Sequence, residues 1–122
     1  MTERHIQTPI MHRVVVHNGL VFVGGTVADD VSAGLEGQTE QILAKFDEYL
    51  MTAGTDKTSL LSATIFLTDL NRKAEMDAAW KRWLPPENFP ARATVGVADL
   101  GEDTLVEIMI TAAALHQDDA LF

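Results

Sequence analysis

Hydrophobic positions in this chain follow two rhythms. Short β-branched or continuous apolar runs alternate with stretches where apolar residues return every three or four positions. Met11 to Val16 is the first apolar run, with Val14, Val15 and Val16 in a row. Leu20-Val21-Phe22-Val23 is the second. Asn18-Gly19 between them predicts a hairpin, because a type I′ turn needs positive φ at both central residues. Gly24-Gly25 ends the second strand and lets backbone pass close to another group. Residues 27–37 read as a loop. From Gln38 to Ala53 the period changes: Ile42, Leu43, Phe46, Leu50 and Ala53 form one helical stripe. Gly54 stands where a helix C′ glycine belongs. Residues 60–67, with Thr64-Ile65-Phe66-Leu67, read as a strand. Asp69 is placed to cap a second helix over about residues 70–84, which Pro85-Pro86 terminates. A strand over residues 93–97 and, after the turn Gly101-Glu102-Asp103, a last strand over residues 104–113 complete the chain.

The predicted order is ββαβαββ, an α+β fold with one mixed sheet and two helices. Two helices cover one face of such a sheet. Yet Val14 to Val16 has no polar face. In the last strand Val106, Ile108 and Ile110 point one way, while Leu105, Met109 and Ala113 flank Glu107 and Thr111 on the other. A sheet apolar on both sides needs cover on both, so a homo-oligomer packed through the open face is expected.

Length then bounds the answer. At 122 residues the chain reads as a single domain, residues 1–122, with flexible flanks at 1–10 and 115–122. Apolar residues make up 47% and charged residues 22%, enough for a packed core. The formal charge of −9, from 18 acidic and 9 basic side chains, repels phosphate backbones and argues against nucleic acid as a partner. There are no cysteines, which excludes a disulfide scaffold and a thiolate nucleophile. No run is long and apolar enough for a membrane span, and residues 1–5 carry no signal pattern, so the expected address is the cytoplasm.

Candidate chemistry is sparse. His5, His12, His17 and His116 lack metal-ligand spacing, and the carboxylates are scattered, so no metal site is expected. There is no phosphate-binding glycine loop and no nucleophile elbow around Ser32, Ser59 or Ser62. Trp80 and Trp83 read as packing. Two residues fit their surroundings badly: Arg92 opens an apolar strand, and Glu107 lies inside Leu105-Val106-Glu107-Ile108-Met109-Ile110. A carboxylate there costs energy unless it is paired or solvated. One reading is a mutual salt bridge, or a sheet edge with Glu107 facing water. The other is an inter-subunit cleft where Arg92 grips a substrate carboxylate and Glu107 holds or activates water.

Five segments in register carry a family likeness: Gly19-Leu20-Val21-Phe22-Val23-Gly24-Gly25, Gln38-Thr39-Glu40-Gln41-Ile42-Leu43, Ala63-Thr64-Ile65-Phe66-Leu67-Thr68-Asp69-Leu70, Pro90-Ala91-Arg92-Ala93-Thr94-Val95 and Val106-Glu107-Ile108. Together they resemble the Rid family, the reactive intermediate deaminases of RidA/YjgF type. The most specific part is Pro-Ala-Arg followed fifteen residues after the arginine by the strand glutamate. The resemblance implies a chorismate-mutase-like fold and a homotrimer whose sheets line a central barrel, with pockets between subunits. It implies hydrolysis of an amino-acid-derived imine or enamine to a 2-keto acid and ammonia, without a metal or organic cofactor. Arg92 would bind the substrate carboxylate and Glu107 would position or activate the water. The sequence departs from the archetype: the pocket tyrosine position is Met11, the pocket serine position is Gly24, and the cysteine after the arginine is Thr94. Lys45 replaces a helix asparagine, and Asp77 to Trp83 marks a diverged subgroup. The substrate-binding set implied here is Arg92, Thr94, Gly24 and Met11, with Glu107 catalytic.

The expected partner is a small carboxylated substrate. Two alternatives stand beside the deaminase reading. One is another small-molecule hydrolase on the same pocket, of carbamate, amide or aminoacrylate type. The other is a non-enzymatic ligand-binding or chaperone-like trimer. The ribonuclease names attached to the family rank last here, because the charge is acidic and no basic patch is present.

Overall fold

The computed structural model describes residues 1–115. Six strands and two longer helices follow in the order βββαβαββ: β1 Thr2–Gln7, β2 His12–His17, β3 Leu20–Thr26, α1 Leu35–Thr52, β4 Leu60–Leu67, α2 Lys73–Trp83, β5 Ala91–Gly96 and β6 Val106–Ala113. The strands form one sheet in the order β1-β2-β3-β6-β4-β5. Only β4 and β5 run parallel, and α2 makes the crossover between them. The mixed sheet with two helices is thus the α+β architecture expected, with one strand more.

That strand is β1. Residues 1–10 read as a flexible flank, but residues 2–7 pair antiparallel with β2, Thr2 opposite His17 and Gln7 opposite His12. Thr-Glu-Arg-His-Ile-Gln has no apolar face, and none of its residues is buried. Backbone pairing holds it, which hydropathy does not report. Its charges blunt the sheet edge against further pairing. The tail expectation beyond Leu115 falls outside the described residues.

The hairpin between β2 and β3 turns through Asn18 (φ 50°) and Gly19 (φ 79°), the two positive φ values a type I′ turn needs. Gly54 also takes φ 79°, just beyond α1. The first helix starts at Leu35, three residues earlier than its apolar stripe suggested. Asp69 caps a short 3-10 turn over Leu70–Arg72, its carboxylate accepting from the Asn71 N–H at 3.0 Å, and α2 begins only after that turn. The cap position was read correctly, but the first turn it starts is tighter than an α-helix.

One sheet face is closed. Val14, Val16, Val21, Val23, Ile65, Leu67 and Ile108 are buried with Ile42, Phe46 and Leu50 of α1 and Met76 and Trp80 of α2. Gln38 is a polar member of this interior and wholly buried. Its amide donates to the carbonyls of Val31 (3.3 Å), Ala33 (3.0 Å) and Asp103 (2.9 Å) and accepts from the Leu105 N–H (3.0 Å). One side chain therefore ties the loop before α1 to the loop before β6. The opposite face carries Phe22, Val95 and Met109, each more than two-fifths exposed in the single chain.

Candidate functional site

Alternation along β6 sends Val106, Ile108 and Ile110 into the core and leaves Glu107 and Met109 on the open face. Glu107 is not at a sheet edge, since β6 lies between β3 and β4. Phe66 of β4 stands opposite it. On its other side the register of β3 shifts between Val23 and Thr26. Thr26 Oγ1 donates to the Gly24 carbonyl at 2.9 Å within this irregularity. The irregularity brings the Gly25 backbone against the Glu107 carboxylate. A Cβ on Gly25 would collide with Glu107 Oε2 and lie 3.1 Å from Cδ. The close approach expected of the Gly-Gly pair is therefore real, and the group it admits is Glu107. Met11 sits beside them, its Sδ 3.7 Å from the Cβ position of Gly24. The Met11 N–H is held by Thr8 Oγ1 at 3.1 Å. Met11, Gly24, Gly25 and Glu107 thus belong to one region of the molecule. Among the described residues no ion pair reaches Glu107.

Arg92 and Thr94 face the other way. In the parallel pairing Arg92 lies beside Ala63 and Thr94 beside Ile65, both buried on the helix-covered side. Arg92 Nη2 is 2.8 Å from Asp77 Oδ1, and Arg92 Cζ lies 5.3 Å from the Trp80 ring centroid. Lys73 Nζ holds the other Asp77 oxygen at 2.8 Å. Burial pushes the Asp77 carboxyl up, but the contacts from Lys73 and Arg92 outweigh it and hold it below the usual aspartate range. Oδ1 is buried and takes no well-aligned N–H, so its 2.8 Å contact with Arg92 is a close ion pair. Asp77, Trp80, Lys81, Phe89, Pro90 and Arg92 line a cavity of about 240 Å³.

The structure therefore brings Met11 and Gly24 near Glu107 but leaves Arg92 and Thr94 on the opposite face of the same chain. The mutual Arg92–Glu107 salt bridge is overturned: the acidic partner of Arg92 is Asp77, because the pleat turns Arg92 toward α2. Asp77 and Gly25 are the residues the sequence reading did not assign to the site. The i, i+4 spacing of Lys73 and Asp77 is the one local sign of this ion pair, and only the fold supplies its third member, Arg92. Trp80 and Trp83 do pack together, with ring centroids 5.8 Å apart, and Trp80 also lies under the Arg92 guanidinium. Lys45 holds the loop after β3, donating to the Val27 carbonyl and Asp29 Oδ1, both at 2.8 Å. Among the described residues no group of three or more His, Asp or Glu converges as a metal site. His17 is an exposed strand-end residue whose Nδ1 is 2.8 Å from Thr2 Oγ1. No helix among the described residues is long and apolar enough to cross a membrane.

This fold, with a strand glutamate on an open sheet face and an arginine at the edge strand, is that of the YjgF class. The model of the family described as Endoribonuclease L-PSP matches residues 5–114, and the chain belongs to that family, which includes the Rid and RutC proteins. A RutC family protein of Haemophilus ducreyi is 38% identical over 104 residues, covering 85% of this chain and 89% of the relative. The human 2-iminobutanoate/2-iminopropanoate deaminase is 29% identical over 106 residues, covering 87% of this chain and 77% of that protein. A crystal structure of a YjgF family member from Neisseria meningitidis superposes with a TM-score of 0.90 at 34% identity, covering 95% and 97% of the two chains.

Proposed function

We propose that this protein is an imine or enamine deaminase that hydrolyses small carboxylated imines in a pocket between subunits of a homotrimer. The observation that carries the reading is Glu107. It is an ionisable side chain on an apolar sheet face, seated against the Gly25 backbone, with no ion-pair partner among the described residues. Its relationship to the human deaminase supplies the reaction class. In one chain the sheet stands between Glu107 and Arg92, so a ligand meeting both needs a second copy. The edge strand β5 of one subunit would then meet the open face of the next, which also covers Phe22, Val95 and Met109.

The chemistry asks little of the protein. A protonated imine carbon is already electrophilic. Arg92 orients the substrate through its carboxylate, and Glu107 takes a proton from the attacking water as the C–O bond forms. Glu107 returns that proton to the carbinolamine nitrogen, and ammonia leaves as the C=O bond forms and the hydroxyl proton passes to water, giving a 2-keto acid.

The test generates imines in place from amino acids with an amino-acid oxidase and follows ammonia and 2-keto acid release. The purified protein is expected to accelerate release over buffer, and to scatter light as three chains. Spontaneous rates unchanged across several imines would overturn the activity, and a monomer at micromolar concentration would overturn the shared pocket.

A further inference from the structure

Arg92 has a resident anion. Asp77 Oδ1 lies 2.8 Å from its Nη2, on the wall of the same cavity that exposes the guanidinium. Both side chains are about one-fifth exposed, so solvent only partly screens the pair. Asp77 is itself held from behind by Lys73, and Trp80 lies along the guanidinium. The arrangement is a guanidinium already half neutralised at the place where an anionic ligand would dock.

We propose that Asp77 is the internal counter-ion of Arg92 and a specificity-determining residue, setting how tightly a ligand carboxylate is held there. This rests on the reading of Arg92 as the carboxylate anchor. A ligand carboxylate next to Arg92 feels both the guanidinium and the like charge of Asp77. Removing that like charge strengthens anion binding, while a ligand of the same shape without charge is indifferent to it. Lys73 works the other way: it draws on Asp77, so losing it leaves Asp77 more fully on Arg92 and weakens the anion.

The experiment titrates 2-oxobutanoate and its methyl ester into the full chain by calorimetry, at low and at high salt. It compares wild type with Asp77→Asn, Lys73→Met and Arg92→Ala, each first shown to keep its circular dichroism and particle size. Asp77→Asn preserves the side-chain shape and is expected to bind the carboxylate about fivefold tighter, an advantage that shrinks in salt. Ester binding should not change. Lys73→Met is expected to bind the carboxylate more weakly than wild type. If Arg92→Ala loses the carboxylate but Asp77→Asn binds it no tighter, the counter-ion role fails and the anchor stands. If Arg92→Ala binds as wild type does, or if neither wild type nor Asp77→Asn binds, the anchor fails and the counter-ion role falls with it.

Discussion

The two adjacent glycines of β3 allow a sharp test of how Glu107 is seated. In Gly25→Ala the new Cβ would overlap Glu107 Oε2 and approach Cδ to 3.1 Å and Cγ to 3.5 Å. The backbone itself accepts alanine, because Gly25 is not among the residues with positive φ. The clash is therefore relieved by Glu107, whose half-buried side chain can swing toward the open face. Leaving a good rotamer costs about 0.5–1.5 kcal/mol, so the loss in stability should stay near 1 kcal/mol. Moving the carboxylate by about an ångström is far more serious for a positioned water, on the order of a hundredfold in rate. Gly24→Ala is the control. Its Cβ would meet only Met11, at 3.7 Å from Sδ and 3.8 Å from Cε, which is ordinary contact. Both variants would be assayed for imine hydrolysis and for thermal unfolding. Gly25→Ala is expected to lose most of its rate with only a small fall in Tm, and Gly24→Ala, at a position of the implied substrate-binding set, to keep its Tm and much more of its rate than Gly25→Ala does. Equal losses in the two variants, or a wild-type rate in Gly25→Ala, would refute the seating of Glu107 on Gly25.

Three further outcomes follow from the same geometry. Arg92→Ala should abolish most imine hydrolysis while light scattering still finds the assembly, and full activity would reject the anchor. Gln38→Leu leaves three carbonyls and the Leu105 N–H without their partner and should cost about 2–4 kcal/mol in urea unfolding; a loss under about 1 kcal/mol would mean water replaces the amide. Because the Asp77 carboxyl lies below its ordinary range when folded, its stabilising share is fully present above the ordinary aspartate value near 4 and is lost as pH falls below it. The urea midpoint of wild type should therefore drop more between pH 5 and pH 3 than that of Asp77→Asn, and identical drops would contradict the ion pair.

Most of the fold was present in the sequence because burial and turn chemistry are local signals. The valines of β2 and β3, the helical stripe of α1 and the alternation of β6 state which faces are apolar, and Asn18-Gly19 states where the chain reverses. Glu107 and Arg92 stood out for the same reason: each is a charge set among apolar neighbours. What the sequence could not state depends on pairing between distant segments. β1 buries nothing and exists because β2 offers its backbone. Arg92 turns toward α2 because parallel pairing aligns it with Ala63, and it then meets Asp77 across the fold. Gly25 matters because the shifted register of β3 brings it onto Glu107. Hydrophobic pattern fixed the layers of this protein. Strand register, which a single-chain pattern does not encode, decided which face each charged side chain occupies.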